Sequence, residues 1–309
     1  MSADRPVLGI VLMLAFCIVA PMGDAVAKIL GQSVSVGQIV LVRFALQAAM
    51  LAPLIILTRR AWRMRGRVLW LTLVRTVLHI AGIAMMVSAL RYLPLADAVA
   101  IAFVMPFIML VLGHYLLNEY VGPRRILASA AGFAGTLLVV QPSFAEVGWP
   151  ALLPVGVAVN FAVFMLITRQ IAKETDPIGL QAVSGGMAVA MMAPLLWLTR
   201  DAGIAPLGVV IGTAMDWILM LSIGVIGTVA HLFMTWALRY APAATLAPMQ
   251  YLEIPFATLI GLIVFGDLPN PVAGLGILIT IGAGLYVVLR ERAIARKVAT
   301  PRGSVHPAE

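Results

Sequence analysis

Charged side chains are scarce in this chain. Only 11% of its 309 residues are Asp, Glu, Lys or Arg, against about 25% in an ordinary soluble domain. So few charges cannot furnish a water-facing surface, which excludes a soluble globular enzyme. A disordered, charge-rich protein is excluded on the same ground. Cysteine is nearly absent as well. Cys17 stands alone, so no intramolecular disulfide can form and the fold depends on no redox compartment. The chain has no Gly-x4-Gly-Lys-Ser/Thr phosphate loop, no His-Glu-x-x-His, no clustered Cys and His, and no Gly-x-Ser-x-Gly. These absences remove the signatures of phosphate-loop ATP hydrolysis, a zinc centre and a serine hydrolase. Gly23-Asp24 lacks a second matched aspartate motif, so an intramembrane aspartyl protease is poorly supported. No enzyme, cofactor or metal is therefore expected.

What the chain does have is apolar surface, at 62% of residues with a mean hydropathy of +1.04. That excess has to face lipid, and an all-α membrane protein is expected. A transmembrane helix needs about 20 mostly apolar residues. Ten segments qualify, near 7–30, 37–58, 68–90, 96–117, 126–141, 149–168, 178–198, 216–237, 244–265 and 272–289. Barrel strands are excluded because these runs are too long and lack a two-residue alternation. The first segment also carries Arg5, the apolar run Val7–Ala20 and Ala25-Val26-Ala27, features of a removed signal peptide. The repeat described below requires it as a first helix instead. Residues 290–309 are polar and basic and read as a disordered cytoplasmic tail.

The net charge of +8 needs no nucleic acid to explain it. Placing the N-terminus in the cytoplasm and alternating collects sixteen of the 21 basic residues on the cytoplasmic side, including the run Arg59, Arg60, Arg63, Arg65 and Arg67. Arg91 and Arg200 fall outside; Lys28, Arg43 and Arg75 remain within spans. This positive-inside bias puts both termini in the cytoplasm and suits the inner membrane of a bacterial-type cell.

The chain also repeats itself. Met50–Arg59 matches Met191–Arg200, and Ala89-Leu90-Arg91-Tyr92-Leu93-Pro94 matches Ala237-Leu238-Arg239-Tyr240-Ala241-Pro242. Pro106-Phe107 corresponds to Pro255-Phe256 and Glu119 to Asp267. Two units of five helices result, 1–145 and 146–289. Because five is odd, the second enters the membrane from the opposite side. Inverted repeats around a midplane site are the architecture of secondary transporters.

In these features the chain resembles the drug/metabolite transporter superfamily, specifically its EamA-type ten-helix carriers. The resemblance lies in Arg43 of the second helix, the two Ala-Leu-Arg-Tyr-x-Pro segments, Pro106 and Pro255, and the acids Glu119 and Asp267. Asp267 stands where the family usually has Glu, and Ala128 where a glycine is common. The resemblance implies metabolite transport, with the substrate held in a central cavity.

Ionisable groups at membrane depth cost about 2.5–3.5 kcal/mol each to insert, so those present mark the expected site. Arg75 and His79, four residues apart, share a face of helix 3. Arg43 carries Gln47 on its face. Asp24 and Lys28 are spaced for an ion pair with the acid in the better, N-terminal position. Glu253 lies near the middle of helix 9, with Gln250 on its face, and a bend is expected at Pro255. His231 falls near the midplane of helix 8, and Tyr251 can stack on a planar solute. Glu253, Asp24 and the histidines are the candidate proton carriers.

The reading is a secondary transporter of a small organic metabolite, anionic or zwitterionic, working by alternating access. A vitamin or cofactor importer of the riboflavin or S-adenosylmethionine type is the alternative. A non-transporting membrane sensor and a membrane enzyme are remoter ones. Expected partners are the solute and the bilayer, with protons as candidate coupling ion and a homodimer as candidate assembly.

Overall fold

The computed structural model describes residues 5–117 and 122–299. Among them every regular element is helical. α1 is Pro6–Leu30, α2 Val36–Thr58, α3 Gly66–Ala89, α4 Leu95–Ala102, α5 Met105–Leu117 and α6 Pro123–Val147. After the 3-10 turn Trp149–Leu152 come α7 Leu153–Ala172, α8 Pro177–Thr199 and α9 Ala214–Tyr240. α10 Ala243–Leu246 leads through a 3-10 segment, Ala247–Leu252, into α11 Glu253–Phe265, and α12 is Pro271–Ala299. Among the described residues six helices are long and apolar enough to cross a membrane: α1, α2, α3, Trp149–Ala172, α8 and α9. α12 runs beyond the boundary expected at 289; residues 300–309 and Glu119 lie outside the described residues.

Local chemistry sets the helix starts. The Ser35 side chain accepts the Gln38 N–H, and Asp176 accepts those of Ile178 and Gly179. Thr213 and Asp216 form a reciprocal capping box. Pro6, Pro123 and Pro177 open their helices, where a missing N–H is harmless.

Helix 9 departs from expectation. Its bend does not fall at Pro255. The regular helix stops earlier, at the 3-10 segment, and restarts at Glu253. Pro255 then occupies the first turn of α11, where its ring meets no preceding helical carbonyl. The fourth segment is also broken, by Phe103 and Val104 between α4 and α5, just ahead of Pro106.

The helices pack across the two sequence halves. α1 lies against α9, α2 against α8, α3 against α7, α4 against α11 and α6 against α12. The chain reverses at each connection, so one end of the bundle gathers Leu30, Ala89, Leu153 and Ala214, and the other gathers Thr58, Gly66, Ala172 and Tyr240. At the first end Arg91 donates to the Val34 carbonyl, Lys28 pairs with Asp267, and Ser33 bonds Asp216. At the second end Arg60 pairs with Asp176, Arg67 with Glu174, and Arg239 donates to the Thr175 carbonyl. Towards that second end the interior is filled by Met13, Met109, Met165, Met234 and Met249, all buried. Flexible thioethers pack irregular gaps well, and the centre is closed there. Leu57, Trp70, Leu127, Ile263 and Leu278 are strongly exposed, an apolar outer wall suited to lipid.

Candidate functional site

A cavity of about 130 Å³ opens between α1, α2, α3, α4, α7, α9 and α11, several times the space one water needs. Its lining comes from α1 between Phe16 and Ala27, the Ala89 end of α3, the Leu153 end of α7, the middle of α9 from Ile223 to His231, and Met105 at the start of α5. It therefore occupies the middle of the bundle and extends towards the first end. Phe16, Phe103 and Phe161 supply aromatic wall; Asp24, Arg43, His231 and Glu253 are the ionisable groups in it.

Arg43 is held by α9. Its Nη2 lies 3.1 Å from His231 Nδ1, and that ring nitrogen is also 3.0 Å from the Gly227 carbonyl. A guanidinium can only donate. Nδ1 either accepts from the guanidinium, with the ring proton on Nε2, or carries the proton and donates to the Gly227 carbonyl, which can only accept. Nε2 has no partner among the described residues. Arg43 reaches this place because Gly227 has no side chain: a Cβ there would stand 2.3 Å from Arg43 Nε. One turn further along α2, Gln47 donates to the Gln181 carbonyl at 2.7 Å. Gln181 donates in turn to the His231 carbonyl and to Thr235 Oγ1, at 2.9 and 2.8 Å. This amide chain ties α2, α8 and α9 together behind the Arg43 anchor. Gln181 and Gly227 escaped the sequence reading, because neither is ionisable.

The two carboxylates stand differently. Glu253 is buried at the first position of α11, and Asp24 is part-buried on α1. Neither makes an ion pair or side-chain hydrogen bond with any described residue. The expected Asp24–Lys28 pair is not formed. Lys28 Nζ instead bonds Asp267 at 2.8 Å and sits 4.4 Å above the Phe265 ring. A partner 239 positions away outcompetes the one four positions away, and Asp24 is left facing the cavity.

Other expected residues are placed elsewhere. Tyr251 is fully buried, its ring against Gly132 and its hydroxyl 3.4 Å from the Ser129 carbonyl. It packs α6 rather than lining the cavity. Gln250 is buried against Met165. His79 and Arg75 share one face of α3 as expected but lie beyond the cavity floor. The His79 ring is 4.2 Å from His231, 4.8 Å from Phe164 and 4.9 Å from Phe44, centroid to centroid. Neither of its nitrogens has a partner among the described residues. Arg75 donates to Thr168 and Ser184 and stacks over Phe164. Among the described residues no three His, Cys, Asp or Glu side chains gather as a metal cage requires.

An aromatic cavity with a few ionisable groups, enclosed by apolar spanning helices, is built to hold a small organic solute within the bilayer. Comparison with known proteins agrees. The EamA-like transporter family matches residues 7–141 and again 148–290. The riboflavin transporter of Rhizobium johnstonii is 32% identical over 244 residues, covering 76% of each chain. That of Brucella anthropi is 27% identical, covering 73% of this chain and 78% of its own. The S-adenosylmethionine uptake transporter of Rickettsia prowazekii is 21% identical over 92% of this chain and 93% of its own. A crystal structure 17% identical in sequence superposes with a TM-score of 0.68, over 93% of this chain and 98% of that one, and shows the same fold.

Proposed function

The chain belongs to the EamA-like transporter family, and from that premise we propose that it is an inner-membrane importer of riboflavin or a closely related flavin. It is a multi-pass membrane transporter of a small molecule. The cavity wall carries the choice of cargo: three phenylalanines flank a flat ring, while Asp24, Arg43, His231 and Glu253 supply a sparse polar rim. Relatives named for riboflavin, at 32% and 27% identity, point the same way. This is the vitamin-importer alternative of the sequence reading rather than its anionic-metabolite form.

The carrier has ten spans in two inverted repeats, with α4–α5 and α10–α11 each acting as one broken span. Support comes from the twofold match of the family and from the helix pairing. Exchanging the halves turns the α1–α9 contact into α7–α3, and both contacts exist. Both termini lie in the cytoplasm by the charge bias, so the cavity faces outward. Transport proceeds by rocking of the halves, with Glu253 and Asp24 as the proton-carrying acids.

Purified protein in liposomes tests the cargo. Saturable riboflavin uptake and counterflow are expected. Absence of both, with S-adenosylmethionine exchanged instead, establishes the second reading. That reading has its own observation: two carboxylates, Glu253 and Asp24, face the one cavity, which suits a solute bearing a sulfonium and an amine.

A further inference from the structure

We infer that Arg75, with Thr168 and Ser184, is a second cargo-anchoring site, opened at the Thr58 end of the bundle when the cavity at Arg43 closes. The inference rests on the two-repeat reading and carries it to individual side chains.

Arg75 is the bulkiest of the fully buried side chains among the described residues. Its Nε donates to Thr168 Oγ1 and its Nη1 to Ser184 Oγ, each at 2.8 Å, and Nη2 has no partner among the described residues. The described ion pairs include none to Arg75. A buried charge without a counter-ion is strongly unfavourable, and an orphaned nitrogen adds to that. Two hydroxyls and the face of Phe164 orient the guanidinium but bring no negative charge. The site has the donors of an anchor and lacks the acceptor.

The internal repeat identifies what it is an anchor for. The match of Met50–Arg59 with Met191–Arg200 puts Ser184 at the position of Arg43. The match of Ala89–Pro94 with Ala237–Pro242 puts His79 at the position of Gly227. On the cavity side Arg43 lies against Gly227. At the related place in the other half, Ser184 accepts from Arg75, one helical turn from His79. The guanidinium has changed sides, from α2 at Arg43 to α3 at Arg75, while the helix–helix contact itself is kept. Between the two sites stand the rings of His79 and His231, 4.2 Å apart. One site is open to the cavity and the other is fully buried, on opposite sides of a histidine pair. Exchange of conformation between the halves converts one into the other. Arg75 then meets the electron-rich oxygens of the cargo, such as ring carbonyls or a carboxylate, which Arg43 meets first.

Two measurements on the full chain test this. In a Cys17→Ala background, Ser184→Cys and the cavity-lining Ala230→Cys are treated with a membrane-impermeant thiol reagent from either face. Ala230→Cys should label from the cavity face and Ser184→Cys from the opposite face, and saturating riboflavin should change both rates at least fivefold. In addition, Arg75→Gln should keep riboflavin affinity from the cavity face within threefold of wild type while slowing counterflow at least tenfold. Labelling of Ala230→Cys but never of Ser184→Cys overturns the site, as does wild-type counterflow by Arg75→Gln. If riboflavin alters neither labelling rate, the flavin reading fails, while the pattern of faces still decides the site.

Discussion

Arg43 occupies the space that a side chain at position 227 would fill, 2.3 Å from where that Cβ would stand. This cavity-lining arginine is thereby seated by a glycine 184 residues away. Gly227→Ala should push the guanidinium off His231 and cut uptake at least tenfold, without preventing membrane insertion. Gly186→Ala and Gly274→Ala meet open space and should transport normally. Initial uptake rates for the three variants, normalised to membrane protein, check this.

Glu253 faces the cavity with no counter-ion among the described residues. Glu253→Gln keeps the shape and removes the titrating group. Expression should be retained, whereas pH-gradient-driven uptake should be lost or become independent of pH. Equal, equally pH-dependent flux in the variant removes Glu253 from coupling.

Tyr251 offers the contrasting case. Its ring fills the hollow left by Gly132, and its hydroxyl makes one long bond. Tyr251→Phe should therefore lower stability by about 1 kcal/mol or less and leave the riboflavin KM unchanged. Gly132→Ala, which would place a Cβ 2.5 Å from the ring, should lower thermal stability by clearly more. Melting curves in detergent alongside uptake kinetics separate the two.

Lys28 and Asp267 pair at the first end of the bundle, and both are partly exposed, at 17% and 33%. Solvent screening limits such a pair to roughly 0–1 kcal/mol. A double-mutant cycle of Lys28→Met and Asp267→Asn should return a coupling energy in that range.

The helices were legible because long apolar runs have few physical alternatives in lipid. Arg43, Asp24, His231 and Glu253 were legible because an ionisable group is conspicuous in such a run. What escaped depends on the third dimension. The Lys28–Asp267 pair spans most of the chain, and its spacing with Asp24 suggested a local pair instead. Gly227 and Gln181 carry no charge to draw attention. Tyr251 and Arg75 share the residue types of a binding site, yet helix rotation and depth turned one to packing and the other below the cavity floor. The break, at Ala247–Leu252, falls ahead of the position expected at Pro255 because proline marks the region of a bend and not its position.

The central claim is that a flavin is anchored at Arg43 and carried across by this chain. Riboflavin counterflow in proteoliposomes of wild type and Arg43→Gln measures it most directly, by the fluorescence exchanged across the bilayer. Saturable exchange by wild type, reduced at least tenfold in Arg43→Gln, is the predicted result. Absence of exchange by folded wild-type protein, or equal exchange by both, contradicts it.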